Sequence, residues 1–326
     1  MEYRSITNIE KKVSVLGLGT WAFGGDSWWG KQDDGVSLAV MERAREKGIN
    51  FIDTAPFYGR GHSEEVVGRF IKEGGRRKEI ILATKLGLDW TKKGFFNLKK
   101  DRMLREMEES LKLLRTDYID LYQIHWPDPN TPVGESAETM REFYEKGLIK
   151  AVGVSNYSLS QMKEFMKNCP LHCIQPPYNM FQREIEKEIL PFCIKCGISV
   201  VTYSPLYGGV LTGKFFADGA EIPKDLRRKN IDDLKEPLFS INRKLLAEIK
   251  EIASKYGTPL SRFVLRWTLQ RNGIASVLTG ARTVEQIAEN TLVSGWAVSG
   301  EDIKILDGIL AKRENMISFL DRRKKI

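Results

Sequence analysis

Four residues that can together run a proton transfer follow one another along the chain: Asp53, Tyr58, Lys85 and His125. A phenol titrates near ~10, so donating its proton at neutral pH takes roughly 4 kcal/mol of bias toward the phenolate. A lysine ammonium about 4 Å away supplies about that much at an effective dielectric of ~20. In this arrangement Lys85 biases Tyr58, Asp53 keeps Lys85 charged and aimed, and His125 donates a hydrogen bond to a substrate carbonyl. Each residue also has a structural explanation: an ion pair between neighbouring strands, a loop aromatic, a core histidine. Their shared position favours a site, because each follows an apolar run that reads as a strand. Ser155-Asn156, Gln175 and Tyr203-Ser204 close further runs in the same way.

The elements that carry these residues repeat. An amphipathic helix ends in glycine and an apolar run follows at once, at Lys47-Gly48-Ile49, Lys146-Gly147-Leu148 and Cys196-Gly197-Ile198, and more loosely at Asn272-Gly273-Ile274. Helical periodicity runs through Val36, Ala39, Val40 and Ala44 and through Leu104, Met107, Leu111 and Leu114. Ser63 ahead of Glu64-Glu65 reads as a capped helix start. Strands are predicted at Leu16–Thr20, Asn50–Asp53, Ile80–Thr84, Tyr118–Ile124, Ala151–Ser155, Cys173–Gln175, Ser199–Tyr203 and Ser276–Leu278. Eight strands alternating with helices predict an α/β fold, a (β/α)8 TIM barrel forming one domain over 1–326. A doubly wound sheet with a second domain is the alternative. Tyr3–Ile6 and Val13–Leu16 predict an N-terminal β-hairpin, and Leu206–Phe239, rich in Gly and charge, a long functional loop or lid after the seventh strand.

Composition removes several other classes. Hydrophobic residues at 42% and charged residues at 29% are globular proportions. The formal charge of +8 is modest, and its clusters at Arg76-Arg77-Lys78, Arg227-Arg228-Lys229 and Arg322 to Lys325 lie apart without aromatic interleaving, so nucleic-acid binding is not expected. No apolar run approaches the ~18 residues of a membrane span, and Met1 to Lys12 has no secretory h-region, so a cytoplasmic protein is expected. Cys169, Cys173, Cys193 and Cys196 have a spacing that could ligate zinc or form a disulfide, but read as buried core thiols. With three histidines, His62, His125 and His172, and no His-x-His pair, no catalytic metal is expected. Gly17-Leu18-Gly19-Thr20-Trp21-Ala22 fits a dinucleotide fingerprint, but the glycine-rich stretch after it cannot open the required helix.

Taken in order, the motifs resemble those of the aldo-keto reductase family, in its bacterial and channel-beta-subunit-like branch. They are Gly17-Leu18-Gly19-Thr20-Trp21, Phe51-Ile52-Asp53-Thr54-Ala55, Tyr58-Gly59, Ser63-Glu64, Thr84-Lys85, Gln123-Ile124-His125-Trp126, Gly153-Val154-Ser155-Asn156, Gln175, Tyr203-Ser204-Pro205-Leu206, Leu211-Thr212-Gly213-Lys214 and Gly280-Ala281-Arg282 with Gln286, Glu289 and Asn290. The resemblance implies NADPH-dependent reduction of a small aldehyde or ketone, with Tyr58 as general acid, Lys85 and Asp53 as its tuners and His125 orienting the carbonyl. It implies that Thr20, Trp21 and Asp53 line the cofactor site and that Ser155, Asn156 and Gln175 grip the carboxamide. Tyr203 would stack on the nicotinamide, and Ser204, Pro205, Leu206, Gly208 and Lys214 follow the pyrophosphate. Gly280, Arg282, Gln286, Glu289 and Asn290 would take the adenosine half, with Arg282 beside the 2′-phosphate of NADP. Trp28, Trp29, Trp90 and Trp126 are candidates for the substrate mouth. Thr279 stands where the family usually has Pro. The alternative function is an NADPH-binding sensor or regulatory partner with slow turnover.

Overall fold

The computed structural model describes all residues except 26–27, 92–94, 223–225 and 324–326. Among the described residues ten strands run in chain order: β1 (Tyr3–Arg4), β2 (Val13–Ser14), β3 (Leu16–Gly19), β4 (Phe51–Asp53), β5 (Ile81–Leu86), β6 (Ile119–Ile124), β7 (Ile149–Ser155), β8 (Cys173–Gln175), β9 (Ser199–Thr202) and β10 (Ile274–Gly280). The last eight close a parallel barrel in the order β3 to β10, with β10 pairing back onto β3. This is the (β/α)8 architecture, with β1 and β2 forming the antiparallel hairpin ahead of it. The hairpin is shorter than its two predicted arms. It delivers Ile6, Ile9 and Val13 onto the inner apolar cluster of the barrel strands.

The period-two alternation of each strand sorts its residues between the barrel interior and the surrounding helices. Phe51, Ile81, Ala83, Leu121, Ala151, Cys173 and Val201 fill the interior. Ile52, Leu82, Leu86, Tyr122, Ile124, Val152, Val154 and Val200 pack outward in the main core. Two residues on from the inner apolar row, the same faces carry Asp53, Lys85, Gln123 and Gln175, one polar layer above an apolar plug. Parallel register brings these rows together, with Asp53 opposite Ala83 and Lys85 opposite Gln123.

The helix stops form as their glycines require. Gly197 caps the helix Ile189–Cys196 with φ of 68°, its N–H bonding to the Cys193 carbonyl. Gly48, Gly147 and Gly273 also sit at positive φ. Two helix readings need correction. In the helix Asp34–Glu46 the buried face is Ser37, Val40, Met41 and Ala44, whereas Val36 and Ala39 are exposed, so the apolar stripe is rotated from the predicted one. Ser63 caps nothing: the helix His62–Glu73 starts after Gly61, and the Ser63 hydroxyl is bonded to Thr20 and Thr54 inside the protein.

After β9 the long connection is largely structured. It contains 3-10 turns at Tyr207–Thr212, Lys214–Phe216 and Asp232–Leu234 and a short helix at Leu226–Asn230. The Arg313 guanidinium, buried on the C-terminal helix Gly300–Arg323, ties it down through Asp233, Asn242 Oδ1 at 2.9 Å and the Phe181 carbonyl. All four cysteines are free, and the expectation of buried thiols holds for Cys169, Cys173 and Cys193 but is corrected at Cys196, which is exposed in the last turn of its helix. Among the described residues no group of His, Cys, Asp and Glu could hold a metal ion, and no helix is long and apolar enough to cross a membrane.

Candidate active site

Lys85 stands in the interior row of β5 with its side chain 1% exposed, one residue before the strand ends, rather than just beyond the predicted strand end. Its ammonium donates to Asp53 Oδ1 at 2.5 Å, to the Thr54 carbonyl at 3.0 Å and to the Tyr58 hydroxyl at 3.3 Å. Three donors meet three acceptors, so the cation is fully satisfied without water. Burial alone would drive the proton off. Asp53 and the Tyr58 oxygen outweigh it, and Lys85 holds its proton above the ordinary lysine range. Asp53 is fixed from its other side, where Oδ2 accepts from Gln175 Nε2 at 2.9 Å and from Gln123 Nε2 at 3.4 Å. Its backbone carbonyl accepts from the Thr20 amide at 2.9 Å and the Thr20 hydroxyl at 3.0 Å.

The half-buried rings of Tyr58 and His125 face each other edge-on with centroids 6.0 Å apart. Burial, and behind it the Lys85 charge, hold His125 well below the ordinary histidine range, so at neutral pH it is an uncharged imidazole with one N–H to donate. Trp21 stacks on Tyr58 with centroids 5.9 Å apart, and Trp28 and Trp29 pack on Trp21 at 5.3 and 5.8 Å. Trp90 is half-buried on the loop after β5, and Trp126, next to His125, is 41% exposed.

The turn carrying Trp21 meets the loop carrying Tyr58 through two glycines. A Cβ on Gly59, which has φ of +65°, would lie 2.2 Å from the Gly24 carbonyl oxygen, and one on Gly24 would lie 2.5 Å from the Gly59 nitrogen. Gly59→Ala is therefore expected to destabilise the fold by roughly 2–4 kcal/mol, combining left-handed strain with backbone overlap. It should lower turnover by moving Tyr58 off Lys85. Melting temperature and kcat of the variant measure both effects.

Beyond this cluster, the ends of β7, β8 and β9 form a linked set. Ser155 Oγ donates to the Gln175 carbonyl at 2.6 Å, Asn156 Nδ2 to the His125 carbonyl at 3.0 Å, and Tyr203 OH to Asn156 Oδ1 at 2.8 Å. Asn156, Ser204 and Tyr207 all take positive φ, marking a constrained backbone at this rim. Pro205 is buried, Leu206 half-buried, and Gly208 and Lys214 belong to the turns that follow. At the end of β10, Gly280 pairs with Gly19, and the Arg282 guanidinium reaches Gln32 Oε1 at 3.1 Å and the Lys31 carbonyl at 2.7 Å. Gln286 accepts from the Arg282 amide at 2.8 Å, Glu289 pairs with Arg262, and Asn290 ends the helix Val284–Asn290. Among the described residues no carboxylate pairs with Arg282.

Gln123 is a functional neighbour without a motif role, and its place two residues before His125, on the interior row, is the signal that marks it. Gln32, which meets Arg282, carries no sequence pattern that marks it.

The closed barrel thus brings together a buried Lys–Asp pair, a phenol and an uncharged histidine at the ends of its strands. The sequence profile of the aldo/keto reductase family matches residues 15–311, and the chain belongs to that family. It is 43% identical over 320 residues, 98% of this chain and 95% of the relative, to the aldo-keto reductase YhdN of Bacillus subtilis. It is 33% identical over 309 residues, 90% of this chain and 94% of the relative, to the NADH-specific methylglyoxal reductase of Escherichia coli. Among solved structures it resembles the glycerol dehydrogenase AKR11B4 of Gluconobacter oxydans, with TM-score 0.88 and 40% identity over 95% of each chain.

Proposed function

We propose that this oxidoreductase reduces small aldehydes or ketones to alcohols with NADPH, with Tyr58 as the general acid. The observation that carries this reading is the buried Lys85 ammonium, shared between Asp53 at 2.5 Å and the Tyr58 hydroxyl at 3.3 Å. When bound, the reduced nicotinamide supplies the hydride. His125 donates a hydrogen bond to the carbonyl oxygen and Tyr58 hands that oxygen its proton as charge develops there. Lys85 stabilises the phenolate left behind, and the Trp21 ring stacked on Tyr58 holds the phenol in place. The runner-up, a nucleotide sensor, has no geometric observation in its favour that the reductase lacks.

The residues fit the cofactor. Arg282 carries its charge among neutral acceptors, which leaves a guanidinium fork available to a phosphate dianion. Ser155, Asn156, Gln175 and Tyr203 would hold the nicotinamide end, with Thr20 fixing Asp53 beneath it. Ser204, Pro205, Leu206, Gly208 and Lys214 would hold the pyrophosphate, and Gly280, Gln286, Glu289 and Asn290 the adenosine. Trp90 and Trp126 would border the substrate mouth with Trp28 and Trp29. Arg282→Ala is expected to raise KM for NADPH by roughly 10–100-fold, the worth of a charge-assisted contact, while leaving KM for NADH within about two-fold. Equal losses with both nucleotides would remove Arg282 from the 2′-phosphate. The function itself is tested by following NADPH absorbance with a panel of small aldehydes and dicarbonyls, where consumption is expected and its absence across the panel would overturn the reading.

A further inference from the structure

Behind Lys85, on the opposite face of β5, lies a second buried polar cluster that the reaction described above does not use. Thr84 points outward from the strand and donates to Glu64 Oε1 at 2.6 Å. Glu64 belongs to the helix His62–Glu73 and is 0% exposed. Its Oε2 faces the Ser110 and Tyr122 hydroxyls, and none of these three buried oxygens completes a hydrogen bond of good geometry. The helix Lys100–Leu113 brings a second carboxyl, Glu106, which accepts from the Gly87 amide at 2.7 Å and from Arg102 at 2.8 Å. The Arg102 guanidinium thus pairs with Glu106, and Glu64 has the Thr84 hydroxyl as its hydrogen-bond donor. The charged and titratable groups facing Glu64 are Lys85 through β5, Tyr122 from β6, and Glu106 backed by Arg102 from the helix Lys100–Leu113.

We propose that Glu64 is a positioning residue for the reduction, held as a neutral carboxylic acid behind β5, whose ionisation offsets part of the Lys85 charge felt by Tyr58 and slows proton transfer to the carbonyl. The inference rests on the reductase reading of the same site. Burial lifts the Glu64 carboxyl to about 7, against the Thr84 and Ser110 hydroxyls that favour its anion and with Glu106 adding to the rise. Within the working pH range the group releases one proton to solvent and places a negative charge on the outer side of the strand that holds Lys85 on its inner side. Lys85 attracts that charge, so the ammonium's pull on the phenol oxygen falls as Glu64 ionises.

The test compares kcat against pH for the wild type, Glu64→Gln and Thr84→Val at saturating NADPH and aldehyde, together with melting temperatures over the same range. Wild-type kcat should fall several-fold between about pH 6 and about pH 8, as a neutral acid becomes an anion. Glu64→Gln, which keeps the acceptor for Thr84, should lose that step and stay several-fold faster at the upper end. Thr84→Val removes a donor that favours the anion and should move the step to higher pH. Independently of turnover, Glu64→Gln should melt above the wild type near about pH 8 and converge with it toward about pH 4, because the unfolded wild-type chain releases this proton above the ordinary carboxyl value of ~4.3 while the folded one holds it to about 7. A melting difference that does not vary with pH would overturn the buried acid. Convergent melting with superimposable rate profiles would overturn its role in the reaction. Convergent melting in a wild type that reduces no carbonyl would overturn the reductase reading, and the inference with it.

Discussion

Replacing Tyr58 with phenylalanine is expected to lower kcat by roughly 10²–10⁴-fold, the range over which a positioned acid contributes to proton transfer. Only the hydroxyl is lost. The ring still stacks on Trp21 and faces His125, and Lys85 keeps Asp53 and the Thr54 carbonyl as acceptors. Nucleotide affinity should therefore stay within about two-fold, since the lost hydroxyl bonds to Lys85 and none of the residues proposed to hold the nucleotide changes. Fluorescence titration with NADPH alongside steady-state rates separates the two effects. A variant that keeps most of its turnover would pass the role of acid to another group.

Lys85→Met should have a larger combined effect. It removes the charge that biases Tyr58 and leaves Asp53, 2% exposed, without its cation. Breaking one side of a buried pair typically costs about 3–5 kcal/mol, because an uncompensated charge stays inside. Loss of turnover is expected together with a fall in melting temperature. Asp53→Asn combined with Lys85→Met removes both charges, keeps the amide contacts of Gln175 and Gln123 possible, and should recover most of the stability with none of the activity. The sign of the pH dependence follows from the raised Lys85 pKa. The pair's contribution is complete below the unfolded lysine value of ~10.4 and is lost as pH rises through the higher folded one. If the double variant melts no higher than Lys85→Met, the buried pair is not what the single variant breaks.

The barrel was legible because its signals are periodic and local. The glycines Gly48, Gly147, Gly197 and Gly273 at helix stops, each with an apolar run after it, mark several of the units, and Asp53, Lys85, His125 and Gln175 mark the ends of the runs. Strand ends were less legible. β5 runs on to Leu86 past Lys85, because the barrel interior accepts a lysine once Asp53 and Tyr58 surround it, and no local propensity encodes that pairing. Ser63-Glu64-Glu65 had the composition of an exposed helix start, yet Ser63 and Glu64 are fully buried. Their partners, Thr20, Thr54 and Thr84, are distant or on another element, so a local motif could not distinguish a cap from an internal network. In the helix Asp34–Glu46 a serine, Ser37, takes an inward place with its hydroxyl satisfied by the Asp33 carbonyl, and Val36 is left outside, so residue type alone does not mark the buried face. Gln123 could have been read from strand parity, since interior residues alternate and His125 lies two positions beyond it.

The most direct test of the central claim is isotope transfer. The wild-type protein is incubated with a small aldehyde and NADPH carrying deuterium at the nicotinamide C4, and the alcohol is examined by NMR. Deuterium on the carbinol carbon, absent from the Tyr58→Phe reaction run for the same time, is the expected result. Alcohol without the label, or NADPH bound and left unoxidised by every aldehyde offered, would contradict hydride transfer at this site.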